Sequence, residues 1–398
     1  MHNQKDIPAL RFPEFDVEWH EALLGDQFFN RKEPGNYLCP IYSVTIDRGM
    51  VPRDSLERNI GNDADSDDNL FVKSNDLAYN MMRLWQGAIG LAEQDCMISP
   101  AYVVLGPYEN VFSKFFIYLF ERKRSLYLFT SNSYGLTSDR LRMYYKDFSR
   151  IKFATPLYPE QQKVATFLTS VDEKLTQLIK KKSMLEKYKK GVMQKIFSQE
   201  IRFKDEHGQD YTEWVDTKLG EIGIFSGGGT PSTKNTDFWM GSIPWISSSD
   251  LVDDSIFKIS TARFITKAAV SQSAAKIIPP KSVLIVSRVG VGKVAVNEIE
   301  LCTSQDFTNI IPNSDNHIFI AYLVKFKTNK LLGLNQGTCI KGFVKSDLET
   351  MNIFLPSVAE QTKIATFLSA IDDKINHCSV QIEKMGLWKK GLLQKMFC

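Results

Sequence analysis

The sequence is poor in the residue pairs that build metal sites and disulfide frameworks. Its six cysteines (Cys39, Cys96, Cys302, Cys339, Cys378, Cys398) include no Cys-x-x-Cys pair, and its five histidines stand alone. Reduced thiols and no zinc site are therefore expected. No apolar run approaches the ~20 residues of a membrane span. Met1 to Leu10 is too polar for a signal peptide, so a cytoplasmic protein without a membrane partner is expected. The signatures of an autonomous enzyme are missing too. There is no GxSxG elbow, no HExxH, no Gly-rich nucleotide fingerprint after a strand, and no Asn/Asp-Pro-Pro-aromatic box for amine methylation. Gly290-Val291-Gly292-Lys293 lacks the four-residue gap of a P-loop and continues with Val294, which predicts a β-turn. Ser247-Ser248-Ser249-Asp250 has no nearby histidine and reads as a polar loop. The acidic stretch Asp63–Asp68 reads as a solvated loop rather than a cation site.

What remains is a chain of 398 residues, 43% apolar and 24% charged. Such a chain folds, and is long enough for two or three domains. The formal charge of +3 is unevenly spread: −3 over 1–155, +5 over 156–199, −1 over 200–355 and +2 over 356–398. The basic excess lies in two short segments. A pI near 8.3 permits nucleic-acid binding without demanding it.

The strongest signal is an internal repeat. Glu160-Gln161, Ala165-Thr166-Phe167-Leu168, Asp172, Lys174, Lys189-Lys190-Gly191, Gln194-Lys195 and Phe197 recur 200 residues later without a gap, from Glu360-Gln361 to Phe397. A weaker echo joins Arg11-Phe12, Trp19 and Leu24-Gly25 to Arg202-Phe203, Trp214 and Leu219-Gly220. The order is lobe, helix, lobe, helix, with lobes at 1–155 and 200–355 and helices at 156–199 and 356–398. In the first helix Val164, Leu168, Val171, Leu175, Leu178, Leu185, Val192 and Ile196 follow a 4-3 spacing, interrupted by Lys182 and Lys189. The second keeps the register through Ile364, Leu368, Ile371, Ile375, Cys378, Ile382, Met385, Leu392 and Met396, interrupted at Lys389. A 3.5-residue period over about five heptads predicts an antiparallel supercoiled pair. Ser357 to Glu360 offers a capping box, while Gly191 and Gly391 mark places to bend or fray.

The lobes alternate short β-type runs with turns. Runs are predicted at Leu38–Val44, Leu70–Val72, Gly87–Leu91 and Tyr102–Leu105 in the first, and at Ile243–Ile246, Ile256–Ile259, Val283–Val286, Lys293–Val296 and Met351–Leu355 in the second. One short helix per lobe is expected, at Val111–Phe120 and Ile318–Thr328. Beyond a shared spacing of 205 (Arg83 to Arg288, Ser99 to Ser304), the lobes have diverged.

The stretch Pro-x-x-x-Glu-Gln-x-x-Ile/Val-Ala-x-Phe-Leu-x-x-Ile/Val-Asp occurs at Pro156–Asp172 and at Pro356–Asp372. The second lobe carries Gly228-Gly229-Thr230-Pro231-Ser232, Ile243-Pro244-Trp245-Ile246-Ser247, Val286-Ser287-Arg288-Val289-Gly290 and Gly337-Thr338-Cys339-Ile340-Lys341-Gly342. With these motifs essentially the whole chain resembles the specificity subunit of type I restriction-modification enzymes. In the first lobe Tyr79–Arg83 and Gly87–Gly90 follow the pattern only loosely. The resemblance implies an α+β protein with two α/β target-recognition lobes separated by a pair of long antiparallel coiled-coil helices, a pseudo-twofold tandem repeat. It implies no catalytic or metal-binding residue in this chain. Its partners would be double-stranded DNA, two methyltransferase subunits, and restriction/translocase subunits. S-adenosylmethionine, ATP and Mg would belong to those partner subunits. A coiled-coil scaffold whose lobes bind proteins is the alternative.

Base readout requires Arg or Lys toward guanine and Asn or Gln toward adenine, with Lys or backbone amides on phosphates. Candidate contacts in the second lobe are Ser249, Arg288, Gln305 and Lys341, with Gly228, Gly229 and Thr230 letting backbone approach DNA. In the first lobe Arg140, Arg142 and Lys146 suit phosphates, and Asn80, Arg83 and Tyr134 suit bases. If the helices set the distance between half-sites, a heptad added after Leu178 and after Cys378 lengthens the spacer by about three base pairs.

Overall fold

The computed structural model describes residues 7–56, 68–137, 140–334 and 342–398. The acidic residues Asp63–Asp67 and the candidate contact Lys341 lie outside the described residues. The chain forms two compact units, Met1–Ile179 with Val380–Cys398, and Lys180–Ser379.

The first unit contains strands β1 (His20–Leu23), β2 (Phe28–Arg31), β3 (Ile41–Thr45), β4 (Gly49–Pro52), β5 (Leu70–Val72), β6 (Leu77–Asn80), β7 (Ile89–Leu91), β8 (Cys96–Ile98), β9 (Tyr102–Pro107) and β10 (Lys152–Thr155). They form sheets of order β2-β9-β6-β7 and β4-β3-β8-β5, plus the ribbon β1-β10. The second unit contains β11 (Val215–Lys218), β12 (Gly223–Gly227), β13 (Ile243–Ile246), β14 (Arg263–Ile265), β15 (Ile277–Ile278), β16 (Val283–Val286), β17 (Val294–Val296), β18 (Leu301–Thr303), β19 (Phe307–Pro312) and β20 (Asn352–Leu355). Its sheets are β12-β19-β16-β17, β14-β13-β18-β15 and β11-β20. Adding ten to every strand of the first unit reproduces the second. Even the parallel pair is matched, β3 with β8 and β13 with β18. Topology has survived where sequence has not.

Period-two alternation explains how each lobe stacks. On β16, Val283 and Ile285 enter the core that holds the helices, whereas Leu284 and Val286 enter the core shared with the second sheet. On β6, Leu77 and Tyr79 face one core and Ala78 the other. A strand buried on both faces must be apolar throughout, as Val-Leu-Ile-Val is.

The long helices span Tyr158–Phe197 and Val358–Lys395. Each unit takes the first half of one and the second half of the other, as antiparallel helices require. Their 4-3 stripe does more than face a partner helix. Val164, Leu168 and Val171 close the first lobe's core together with Leu392 and Met396, and Ile364, Leu368 and Ile371 close the second's with Ile196. Both helices run unbroken through Gly191 and Gly391, where open space surrounds the backbone. The predicted capping box is half formed. Ser357 Oγ accepts from Glu360 N at 3.4 Å, but the Glu360 carboxylate is engaged by Arg202 and Trp214.

Two predicted strands need correction. Ile256–Ile259 makes only a single bridge, Leu251 to Ile259, because Ile256 plugs the core from a loop. The run from Leu38 becomes a strand only at Ile41: Asn36 Oδ1 accepts from Leu38 N in a turn, and Pro40 follows. The first lobe also has two short helices, Ser113–Phe120 and Lys123–Ser131, where the second has one, His317–Leu334.

Candidate nucleic-acid interface

The repeated residues form a scaffold inside each unit. Arg11 grips Glu160 through Nε and Nη2, both at 2.7 Å, and Arg202 grips Glu360 at 3.2 and 3.0 Å. Gln161 Oε1 accepts from Phe112 N, and Gln361 Oε1 from Asn316 N, both at 2.9 Å. Tyr118 donates to Asp172 at 2.9 Å and Tyr322 to Asp372 at 2.6 Å. Lys389 reaches Asp172 at 2.9 Å, and Lys189 reaches Asp372 at 2.5 Å. Two of the three lysines that interrupt the apolar stripe, Lys189 and Lys389, are therefore ion-pair partners inside it. Burial, together with the neighbouring aspartate, pushes both tyrosine hydroxyls far above their usual range, so they remain donors. Burial opposes the charge of Lys389, yet Asp172 and Glu121 outweigh it and raise its pKa.

On this frame the loops of the second lobe converge. Gly229 N donates to Thr303 O, Ser304 N to Ile246 O, Ser287 N to Asp306 O, and Phe343 N to Ser287 O, each at 2.8 Å. The four bonds gather the ends of β12, β13, β16 and β18, and with them Thr230, Ser249, Arg288 and Gln305. All four of these side chains are exposed. Thr230 Oγ1 donates to Gln305 Oε1, and Ser249 shares a 2.9 Å hydroxyl contact with Ser247. Arg288 has no side-chain partner among the described residues, so the salt bridge that would make it structural is not formed.

Gly228 and Gly229 have another reason to lack side chains. A Cβ on Gly228 would lie 2.2 Å from Ser304 O, and one on Gly229 would lie 2.2 Å from Ala274 O. Gly229 is buried against the protein's own backbone and offers no open approach to a ligand. The Gly290–Lys293 stretch turns between β16 and β17, with Gly290 and Gly292 at φ 81° and 93°. Lys293 Nζ donates to the carbonyls of Ser248 and Leu251 at 3.1 and 2.9 Å, so it buttresses the Ser247–Asp250 turn rather than a phosphate loop.

The first lobe assembles its candidates by a similar device. Tyr134 and Arg142 exchange two backbone bonds of 3.0 and 2.8 Å, and Met143 N donates to Met81 O at 2.8 Å. These bonds seat the Tyr134–Arg142 loop beside the turn that carries Asn80 and Arg83. Tyr134, Arg140, Arg142, Lys146 and Arg83 are all exposed, and none of their side chains is paired among the described residues. Asn80 Oδ1 accepts from Met82 N at 2.9 Å, which shapes the turn. Exposed Tyr127, Leu136 and Tyr144 extend this basic and aromatic surface and were not singled out by sequence. Arg263 was missed as well, because no local pattern marks it.

Burial pushes the thiols of Cys96 and Cys302 up to about 12 and about 11, leaving them protonated. Among the described residues no group of three His, Cys, Asp or Glu is placed to hold a metal, and no helix is long and apolar enough to cross a membrane.

A family model described as the type I restriction modification DNA specificity domain matches residues 24–187 and again 211–384. The type I restriction enzyme MjaIX specificity subunit of Methanocaldococcus jannaschii is 35% identical over 199 residues, 48% of this chain and 46% of that protein. The EcoR124I/EcoR124II specificity subunit of Escherichia coli is 33% identical over 176 residues, 41% and 42% of the two chains. Each match thus spans about half of the curated relative. In fold, the chain is similar to the S subunit of a type I restriction-modification system from M. genitalium, with TM-score 0.60 and 15% identity over 98% of this chain and 99% of that one. An HsdS subunit from Thermoanaerobacter tengcongensis gives TM-score 0.51 at 16% identity over 97% and 98%. Two copies of one domain, matched over most of the chain and built on one topology, place this protein in the type I restriction modification DNA specificity domain family.

Proposed function

We propose that this chain is the non-catalytic specificity subunit of a type I restriction-modification complex, reading a bipartite sequence in duplex DNA with one lobe per half-site. One observation carries the reading. Arg83 and Arg288 follow the equivalent strands β6 and β16, both exposed and without side-chain partners among the described residues. An exposed arginine without a protein partner at a loop hub keeps its N–H donors free for a base edge or phosphate. Loops of different sequence on matched strands suit two different half-sites.

In this reading two methyltransferase subunits and the restriction/translocase subunits supply the chemistry, in the cytoplasm. S-adenosylmethionine, ATP and Mg are bound by those partners. Asn80 and Tyr134 face bases beside Arg83, while Arg140, Arg142 and Lys146 take phosphates. In the second lobe Arg288, Gln305, Ser249 and Lys341 make the contacts, and Gly228 and Thr230 bring backbone close.

The test is binding of the reconstituted complex to duplexes changed one base pair at a time. Arg83→Ala is expected to relax one position of one half-site, and Arg288→Ala one position of the other, each by about 1–3 kcal/mol. An assembled complex that binds every duplex alike would refute the reading and favour lobes that bind proteins.

A further inference from the structure

The second lobe holds a pre-oriented arginine that no sequence pattern marks. Arg263 opens β14, opposite Trp245 in the β13 register. Its guanidinium carbon lies 4.6 Å from the centre of the Trp245 ring. Its Nη2 donates to Ser247 Oγ at 2.7 Å and to Asp250 Oδ2. Asp250 is in turn fixed by Ser247 N at 2.7 Å. Stacking on one face and two bonds on one edge hold the guanidinium plane, while 39% of the side chain is exposed. Among the described residues Nε and Nη1 donate to nothing.

The group sits on the convergent loops described above. Ser247 Oγ meets Ser249 Oγ at 2.9 Å, Ser304 N bonds Ile246 O at 2.8 Å, and Trp245 Nε1 donates to Gly229 O at 2.9 Å. Lys293 and Gly290 close on the same turn, the latter within reach of Ser248. The first lobe has no counterpart, since its equivalent strand β4 reads Gly49-Met50-Val51-Pro52.

We infer that Arg263 is a base-reading residue, presenting its free Nη1–H to the O6 or N7 acceptor of a guanine in the half-site read by the second lobe. Two physical points separate this from a phosphate contact. Asp250 cancels the charge that would attract a phosphate, so the pair adds little salt-dependent affinity. The guanidinium is fixed by Trp245, Ser247 and Asp250, so its rotamer entropy is already lost before DNA arrives, which favours geometry-dependent discrimination. The inference rests on the two-half-site reading, yet fails separately from it.

The experiment uses the reconstituted complex and competition among duplexes carrying each base pair at each position, at several salt concentrations. Arg263→Ala is expected to lower the preference for guanine at one position by about tenfold or more. Affinity for the other half-site and the salt slope should stay as in wild type. Arg263→Lys should not restore the preference, because a flexible ammonium has no planar group for Trp245 and Asp250 to hold in place. Arg263→Gln, which can still bond Asp250, controls for folding and should lose the guanine preference as well. Uniform weakening with a salt slope shallower by about one would mark a phosphate contact and overturn the inference. Unchanged discrimination in both the Ala and Gln variants would reduce Arg263 to packing on Trp245 and overturn it too. A wild-type complex that does not discriminate sequences would overturn both readings at once.

Discussion

The two units repeat a set of contacts in their interiors and differ on their exposed loops. Arg11–Glu160 and Arg202–Glu360, Gln161 and Gln361, Tyr118–Asp172 and Tyr322–Asp372 are the same contacts made twice. So are two aromatic contacts, Phe12 on Phe167 and Phe203 on Phe367, with centroids 5.7 and 5.5 Å apart. Outside this frame, the loop hub of the second lobe has Arg263 on Trp245, whereas the first lobe has the Tyr134–Arg142 loop. The difference teaches which residues the fold needs. Those that tie helix to lobe were kept, because each would leave a buried polar group unpaired if its partner changed. Those that face outward were free to diverge.

The interiors are not identical everywhere, and the exceptions make the comparison breakable. The largest effect is expected at the ion pairs. Lys189 and Asp372 are 14% and 9% exposed, and removing the carboxylate with Asp372→Ala strands a buried ammonium at a cost of about 3–5 kcal/mol. Asp172→Ala should cost less, because Asp172 is 33% exposed and Lys389 keeps Glu121 at 3.4 Å. Equal losses in chemical denaturation would show that the second carboxylate does not compensate. Next come Leu168→Ala and Leu368→Ala, both fully buried at equivalent positions, expected to cost about 2–5 kcal/mol each and nearly the same as one another. A large gap between them would mean the two cores pack differently. Smaller still is the tryptophan pair. Trp214 Nε1 donates to Glu360 at 3.1 Å, whereas Trp19 Nε1 is buried with no partner among the described residues. Trp214→Phe should cost about 1 kcal/mol more than Trp19→Phe in the same measurement. The smallest effect is at His317, whose place in the first lobe is taken by Ser113. Burial lowers the His317 pKa below its ordinary 6.5. The unfolded chain then binds the proton more readily, so stability is retained above pH 6.5 and lost as pH falls through that value. His317→Asn should flatten that fall in a denaturation series across pH 5.5–7.5, a range of about two units around the ordinary value.

The long helices were legible because a 4-3 apolar stripe repeated over 40 residues has no other solution, and a 200-residue period ties its two copies together. Strands of four residues that are buried on both faces, such as Val283–Val286, were legible for the same reason. Strands such as β1 and β11 were not. Half or more of their residues are polar, and only their pairing with β10 and β20 makes them strands. The meaning of Lys189 and Lys389 was hidden as well, since a charge in an apolar stripe looks like an interruption until its carboxylate partner is placed beside it. Gly228 and Gly229 suggested room for a ligand, whereas the close approach is made by Thr303, Ser304 and Ala274. Arg263 could not be found at all, because its three partners come from another strand and turn.

If one frame carries two independent reading heads, the lobes are exchangeable. Replacing residues 17–155 by the matching lobe of a relative tests it most directly, with the recognition sequence of the reconstituted complex mapped through its methylated sites. The expected outcome is a new sequence in one half-site and an unchanged sequence in the other. A change in both halves would contradict it.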